Sequence, residues 1–151
     1  MCNWIDEDNN VLSIVCSKGR KKLGQAGEQL LLDKLKQENW QILKTNFQNA
    51  SHAFEIDLIA LDPNDYLVFF EVKTRLSLNL DSVFATFTRA KLTRLKLGAK
   101  HFCVQNPHIK HSGWRFDLAI VSFPTDRMPA NPKCWLIDQK KHSLAIYPII
   151  G

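Results

Sequence analysis

A chain of 151 residues, 45% hydrophobic and 23% charged, has the length and composition of one soluble globular domain with room for a sizeable core. No apolar run approaches the ~20 residues of a membrane span, and the acidic start Met-Cys-Asn-Trp-Ile-Asp-Glu-Asp lacks the basic region of a secretory leader. Four scattered cysteines without a Cys-x-x-Cys pair support neither zinc nor a disulfide framework, so a cytoplasmic setting is expected, and the net charge of +5 favours a polyanionic partner.

Residues 1–19 show no sustained period and read as an N-terminal arm, with Val11 to Cys16 able to form a short strand. A helix is predicted over 21–38, where Leu23, Leu30, Leu31, Leu32 and Leu35 recur at helical spacing. Gly24 and Gly27 each weaken it by ~1 kcal/mol relative to Ala, which a close approach to another backbone would explain. Glu28 precedes Leu31, Leu32 and Leu35 at i, i+3, i+4, i+7, on or beside the core-facing stripe. It is either a solvated rim carboxylate or one that serves a site.

Residues 40–47 alternate as a strand, and Asn49 to His52 is a polar loop. Two strands follow, over about 53–61 and 66–73, joined by the turn residues Asp62-Pro63-Asn64-Asp65. Ile56, Leu58 and Ala60 are expected on one face and Ile59 and Leu61 on the other, as in strands covered on both sides. Residues 76–86 are a linker, 87–103 a second helix with the stripe Phe87, Leu95, Ala99 and Phe102, and 114–121 a strand. Proline marks 124–132 as loop, and 134–138 with 143–149 reads as a terminal hairpin. The order αβββαβ over a core of about 20–121, followed by a C-terminal extension over 122–151, predicts an α/β fold with a mixed central sheet flanked by helices.

Charge is unevenly placed. From Ser82 to Phe116 there is no Asp or Glu, while Arg89, Lys91, Arg94, Lys96, Lys100, Lys110 and Arg115 fall inside; Lys18, Arg20, Lys21 and Lys22 form a second cluster. These are either solvated basic faces or surfaces for a phosphate backbone. Arg75, just after the second central strand, is a candidate phosphate contact.

The residues out of place are Glu55, Asp57, Glu71 and Lys73, charges in otherwise apolar strands. Asp57 and Glu71 suit a Mg²⁺ or Mn²⁺ ion, which takes oxygen ligands and keeps several waters, with the Val72 carbonyl as a third ligand. Lys73 shares a strand face with Glu71 and can orient a water or neutralise charge on a phosphoryl group. For Asp57 to oppose Glu71, paired positions must sum to 128, so that 61 opposes 67 across a five-residue loop; Glu55 then opposes Lys73. The bland alternative is a structural salt-bridge cluster. Buried ion pairs stabilise poorly, which favours a functional reading.

Gly24-Gln-Ala-Gly27-Glu28, Glu55-Ile-Asp57-Leu-Ile-Ala60, Val68-Phe-Phe-Glu71-Val-Lys73-Thr-Arg75 and Arg115-Phe-Asp117 together resemble the YraN (UPF0102) family of the PD-(D/E)xK nuclease superfamily, over roughly residues 20–121. The resemblance implies a restriction-endonuclease-like core, a metal site from Asp57 and Glu71, a catalytic Lys73 and an accessory Glu28. It also places Lys91 and Arg94 where the family carries basic residues for nucleic acid. One departure stands out: Phe54 occupies a position where the family usually has Gly, and its bulk is expected to narrow the substrate path or shift the local loop. The expected function is Mg²⁺-dependent hydrolysis of DNA, including branched or structured DNA, without membrane association and with a homodimer as the natural form for symmetric junctions. The alternatives are a nucleic-acid-binding module with little catalysis and a scaffold for a protein partner.

Overall fold

In a computed structural model the backbone is described for residues 2–5, 11–16, 20–76, 80–123, 125–128, 131–138 and 142–150, and side chains for 21–76, 81–123 and 142–149. Helix α1 (Arg20–Gln37) leads into strands β3 (Gln41–Gln48), β4 (Glu55–Leu61) and β5 (Tyr66–Arg75). These follow two short N-terminal strands, β1 (Cys2–Ile5) and β2 (Val11–Cys16). A short helix α2 (Leu80–Phe84) lies in the predicted linker, before helix α3 (Arg89–Gln105) and strand β6 (Gly113–Ser122). Three strands close the chain: β7 (Thr125–Met128), β8 (Asn131–Asp138) and β9 (Ser143–Ile150).

The central sheet has five strands in the order β3-β4-β5-β6-β9, with β5 and β6 parallel and the other pairs antiparallel. Parallel neighbours need a crossover, and α2 and α3 supply it. Leu31 and Leu35 of α1 pack with Leu58, Ala60, Val68, Phe70 and Ala119 on one face. Leu95, Ala99 and Phe102 of α3 pack with Ile59, Leu61, Phe69 and Phe116 on the other, where Val83 of α2 covers Leu118 and Ile120. The result is a mixed α/β fold with helices on both sides of the sheet, in the αβββαβ order and compatible with a restriction-endonuclease-like core.

The β4–β5 register is the even one: Leu58↔Phe70, Ile59↔Phe69, Ala60↔Val68 and Leu61↔Leu67. The turn closes through Asp62 N–H to Tyr66 C=O, and Asp62 Oδ1 accepts from the N–H groups of Asn64 and Tyr66. The ladder stops at Leu58↔Phe70, so Glu55 and Lys73 do not pair; Glu55 pairs with Gln48 of β3 instead.

The expected alternation along β4 fails at one point. Ile56 does not share a face with Leu58 and Ala60 but joins Ile59 and Leu61 in the α3-side core. The phase of the strand therefore reverses at Asp57. Opposite it, Asn46 adopts a left-handed backbone (φ 50) between the pairs Thr45↔Leu58 and Phe47↔Ile56, a conformation asparagine tolerates better than most residues. This kink releases Asp57 from the α3-side core, where strict alternation with Ile59 would have placed it.

The Phe54 ring turns into the core. It is buried beneath α3, with its ring 5.4 Å from that of Phe47 and 5.1 Å from that of His101. Gly98 makes this packing feasible, since a Cβ there would lie 2.9 Å from Phe54 Cδ2 and Ile56 Cδ1. Of the two α1 glycines, only Gly27 is tightly packed, and against a side chain: a Cβ would collide with Thr74 Oγ1, whereas Gly24 faces open space.

The predicted terminal hairpin does not form. Strand β8 pairs with β2 and β7 in a second sheet of order β1-β2-β8-β7, while β9 pairs with β6. The reason lies in the β9 sequence. Leu144 and Ile146 meet the α1-side clusters while Tyr147 and Ile149 meet the α2 side, so β9 is a strand with apolar contacts on both faces. Its edge position tolerates Pro148. Nor is 124–132 only loop: β7 and β8 pair there, and the register jumps from Arg127↔Trp135 to Met128↔Asn131, passing over Pro132. Proline has no N–H to offer a ladder.

Candidate active site

The site forms where β4 and β5 part company. Beyond Leu58↔Phe70, Asp57 bonds to β5 through its side chain, with Oδ2 accepting the Val72 N–H at 2.7 Å. An extended residue presents its N–H and C=O on the same side, so the Val72 carbonyl is directed toward the same opening. Asp57 and Val72, with Glu28, Gln25, Thr45 and Asn46, line a cleft of about 240 Å³ between α1 and the sheet.

Glu71 is buried and engaged from both ends. Lys73 Nζ donates to Oε1 at 2.6 Å, and Lys91 Nζ of α3 lies 2.8 Å from Oε2. The second contact has charge proximity without hydrogen-bond geometry, leaving Oε2 a buried oxygen with no hydrogen-bond partner among the described residues. Lys73 and Lys91 are about a quarter exposed, so both ammonium groups also reach solvent.

The carboxylates sense one another. Burial and then the neighbouring Glu71 push the Asp57 carboxyl up to about 7, with Glu28 adding to the effect and the Val72 hydrogen bond and Lys91 opposing it. Burial also raises Glu28, followed by repulsion from Glu55 and Glu71. Glu28, at the core-facing edge of α1, is therefore part of this acidic group and not an isolated rim residue.

The donor set fits a divalent cation. Asp57 and Glu71 offer electrostatically coupled carboxylates, Glu71 Oε2 carries an ion pair to Lys91 but no hydrogen bond among the described residues, and the Val72 carbonyl supplies a neutral oxygen. Among the described residues no three His, Cys, Asp or Glu side chains group tightly enough to hold an ion by themselves. A Mg²⁺ ion retains waters and needs only one or two carboxylates.

Of the residues expected to meet phosphate, Lys91 faces inward to Glu71, Arg94 is exposed on α3, and Arg75 is partly buried with Nη1 donating to the Thr74 carbonyl at 3.0 Å. The sequence singles out Lys91 as a phosphate contact, and its ion pair with Glu71 is what it does not reveal. Its basic helix was legible, but which lysine turns inward depends on how α3 docks. Arg115, counted with the basic stretch, is also internal: it binds Asp62 at 2.9 Å and Asp117 at 3.1 Å, at the turn end of the sheet. A larger cleft, about 890 Å³, lies near that end, between Leu61, Phe102 and Ile109, and Asp65 is its sole acidic lining residue among those described. Asp57 and Glu28 line the smaller cleft instead.

Residues 27–121 match the sequence profile of an uncharacterised protein family, UPF0102. The chain belongs to UPF0102. The matched span runs from the tightly packed Gly27 through the acidic group to β6. A UPF0102 protein from Renibacterium salmoninarum is 42% identical over 112 residues, covering 72% of this chain and 88% of the relative. One from Caldicellulosiruptor saccharolyticus is 36% identical over 102 residues, covering 68% and 83%. A third, from Trichlorobacter lovleyi, is 33% identical over 104 residues, covering 69% and 80%. No helix among the described residues of this UPF0102 chain is long and apolar enough to cross a membrane.

Proposed function

We propose that this UPF0102 protein is a divalent-cation-dependent hydrolase of DNA phosphodiester bonds, of the PD-(D/E)xK kind. The observation that carries the reading is the acidic group at the open end of the β4–β5 hairpin: Asp57 raised to about 7 beside buried Glu71, with Lys73 on Glu71 Oε1. Asp57 and Glu71, with the Val72 carbonyl, would hold Mg²⁺ or Mn²⁺. Such a cation supplies charge neutralisation at the phosphoryl oxygens and activation of a nearby water. Lys73 is held within reach of the same point, where its ammonium balances negative charge developing on phosphorus oxygens. Glu28, with its raised pKa, is suited to exchanging a proton with water in the cleft. The exposed Arg94 and partly buried Arg75 contact the phosphates that flank the scissile one. A two-fold symmetric junction would require two copies of the site, hence a dimer.

The alternative is a binding module without catalysis. It is favoured by the ion pairs at Glu71, in which two lysines already occupy the sides of the carboxylate. Cleavage of linear and branched DNA with Mg²⁺ or Mn²⁺ separates the two. Wild type should cleave, and Asp57→Ala, Glu71→Ala and Lys73→Ala should each lose roughly a hundredfold or more. Equal, metal-independent behaviour of all four proteins would overturn the catalytic reading.

Lys91 gives a second check that needs no DNA. Its ammonium competes with a cation for Glu71 Oε2. Lys91→Ala should therefore bind Mn²⁺ several-fold more tightly by calorimetry, while Arg94→Ala is unchanged. Weaker binding by Lys91→Ala would mean that the lysine supports the site instead.

A further inference from the structure

A groove of about 420 Å³ runs between α3 and β6 on the face of the sheet that carries Glu71. Its floor is Phe69 and Phe116, both buried, and one wall is Trp114, whose ring stands 5.5 Å from that of Phe116 in an edge-on arrangement. Trp114 is 43% exposed, unusually open for so large an apolar side chain. Lys96 and Lys100, one helical turn apart on α3, form the opposite rim. No acidic residue lines the groove among those described.

We infer that this groove takes an unpaired base of the nucleic acid, stacked on Trp114, with Lys96 and Lys100 on the adjoining phosphates. Aromatic surface flanked by lysines is how proteins hold single strands, because every base has a π-face and every nucleotide a charge. A volume of this size lies within the range of small-ligand pockets. A peptide would find no carboxylate here to pair its own cations, and the bare lysines favour an anionic partner.

The placement relative to the acidic group follows from the ladder. Trp114 pairs with Leu67 and Phe116 with Phe69, while Glu71 lies further along β5 on the same face. At about 3.3 Å per residue, the floor begins about 7 Å from Glu71 and the Trp114 wall lies about 13 Å away. A strand reaching the acidic group across this face would pass the groove first. The inference rests on the nucleic-acid reading above and refines it: the preferred substrate has unpaired nucleotides beside the scissile bond.

The test compares two fluorescent DNAs in EDTA, one a blunt duplex and the other the same duplex with a single-stranded flap. Wild type should prefer the flap, and Trp114→Ala should lose roughly tenfold in flap affinity while duplex affinity holds. Trp114→Phe should keep most of the preference. Lys96→Ala with Lys100→Ala should reduce the salt slope for the flap by about 1.4. A 2-aminopurine in the flap should be quenched by wild type and not by Trp114→Ala. Unchanged flap affinity in Trp114→Ala, or equal losses on both DNAs, would overturn the inference while leaving metal-dependent cleavage standing. No binding of either DNA by wild type would overturn the nucleic-acid reading along with it.

Discussion

Asp57→Asn should stabilise the cation-free protein at pH 8 by on the order of 4 kcal/mol, while removing cation-dependent activity. The carboxyl is raised from 3.8 to about 7, mainly by burial and then by Glu71. Below pH 3.8 it is protonated in both folded and unfolded chains and adds nothing to pH dependence. As pH rises from about 4 to 7 the unfolded chain ionises first, the folded chain holds the extra proton, and stability falls. Above 7 the cost is complete, at ~1.36 kcal/mol for each tenfold difference in proton affinity between the folded and unfolded chains. The amide substitution removes this charge but keeps an oxygen to accept from the Val72 N–H. Urea denaturation at pH 5 and pH 8 measures the difference: the advantage of Asp57→Asn should be larger at pH 8. Mn²⁺ at a hundred times its Kd should return ~2.7 kcal/mol to wild type and little to the variant. An advantage independent of pH would mean that Asp57 is not the strained group.

Phe54→Ala should cost ~3–5 kcal/mol of stability without loss of activity per folded molecule. Its ring fills the space between Phe47, His101 and the close-packed Gly98, and the cavity left behind cannot collapse readily because α3 already lies tight on β4. Phe54→Gly should cost still more, because glycine adds unfolded-state freedom. Urea midpoints of the two variants, with cleavage measured well below those midpoints, decide the matter. If Phe54→Gly were stable and faster on DNA, the ring would be obstructing the substrate after all.

The elements that sequence revealed are those whose pattern is local. The leucines of α1, the stripe of α3 and the Asp62-Pro63-Asn64-Asp65 turn each carry their signal within a few residues, and the turn chemistry sets the even register of β4 and β5. What stayed hidden depends on partners distant in the chain. Strict alternation placed Ile56 with Leu58, and only the left-handed Asn46 on the neighbouring strand shows why the phase reverses at Asp57. The apolar tail reads locally as a hairpin of β8 and β9, but β9, with apolar contacts on both faces, pairs with β6. Asp57, Glu71, Lys73 and Glu28 stood out as charges in apolar patterns, and the fold gathers them. Lys91 reads from sequence as a phosphate contact on a basic helix, and Trp114 as an ordinary member of a strand. The ion pair of Lys91 and the groove at Trp114 appear only once α3 is laid across the sheet.

Asp57 and Glu71 should hold one divalent cation at the open end of the hairpin. Anomalous diffraction from crystals soaked in Mn²⁺ tests it most directly. One strong peak is expected within coordination distance of both carboxylates, with Lys91 displaced from Glu71 Oε2. Full-occupancy Mn²⁺ elsewhere, with Glu71 still held between Lys73 and Lys91, would contradict it.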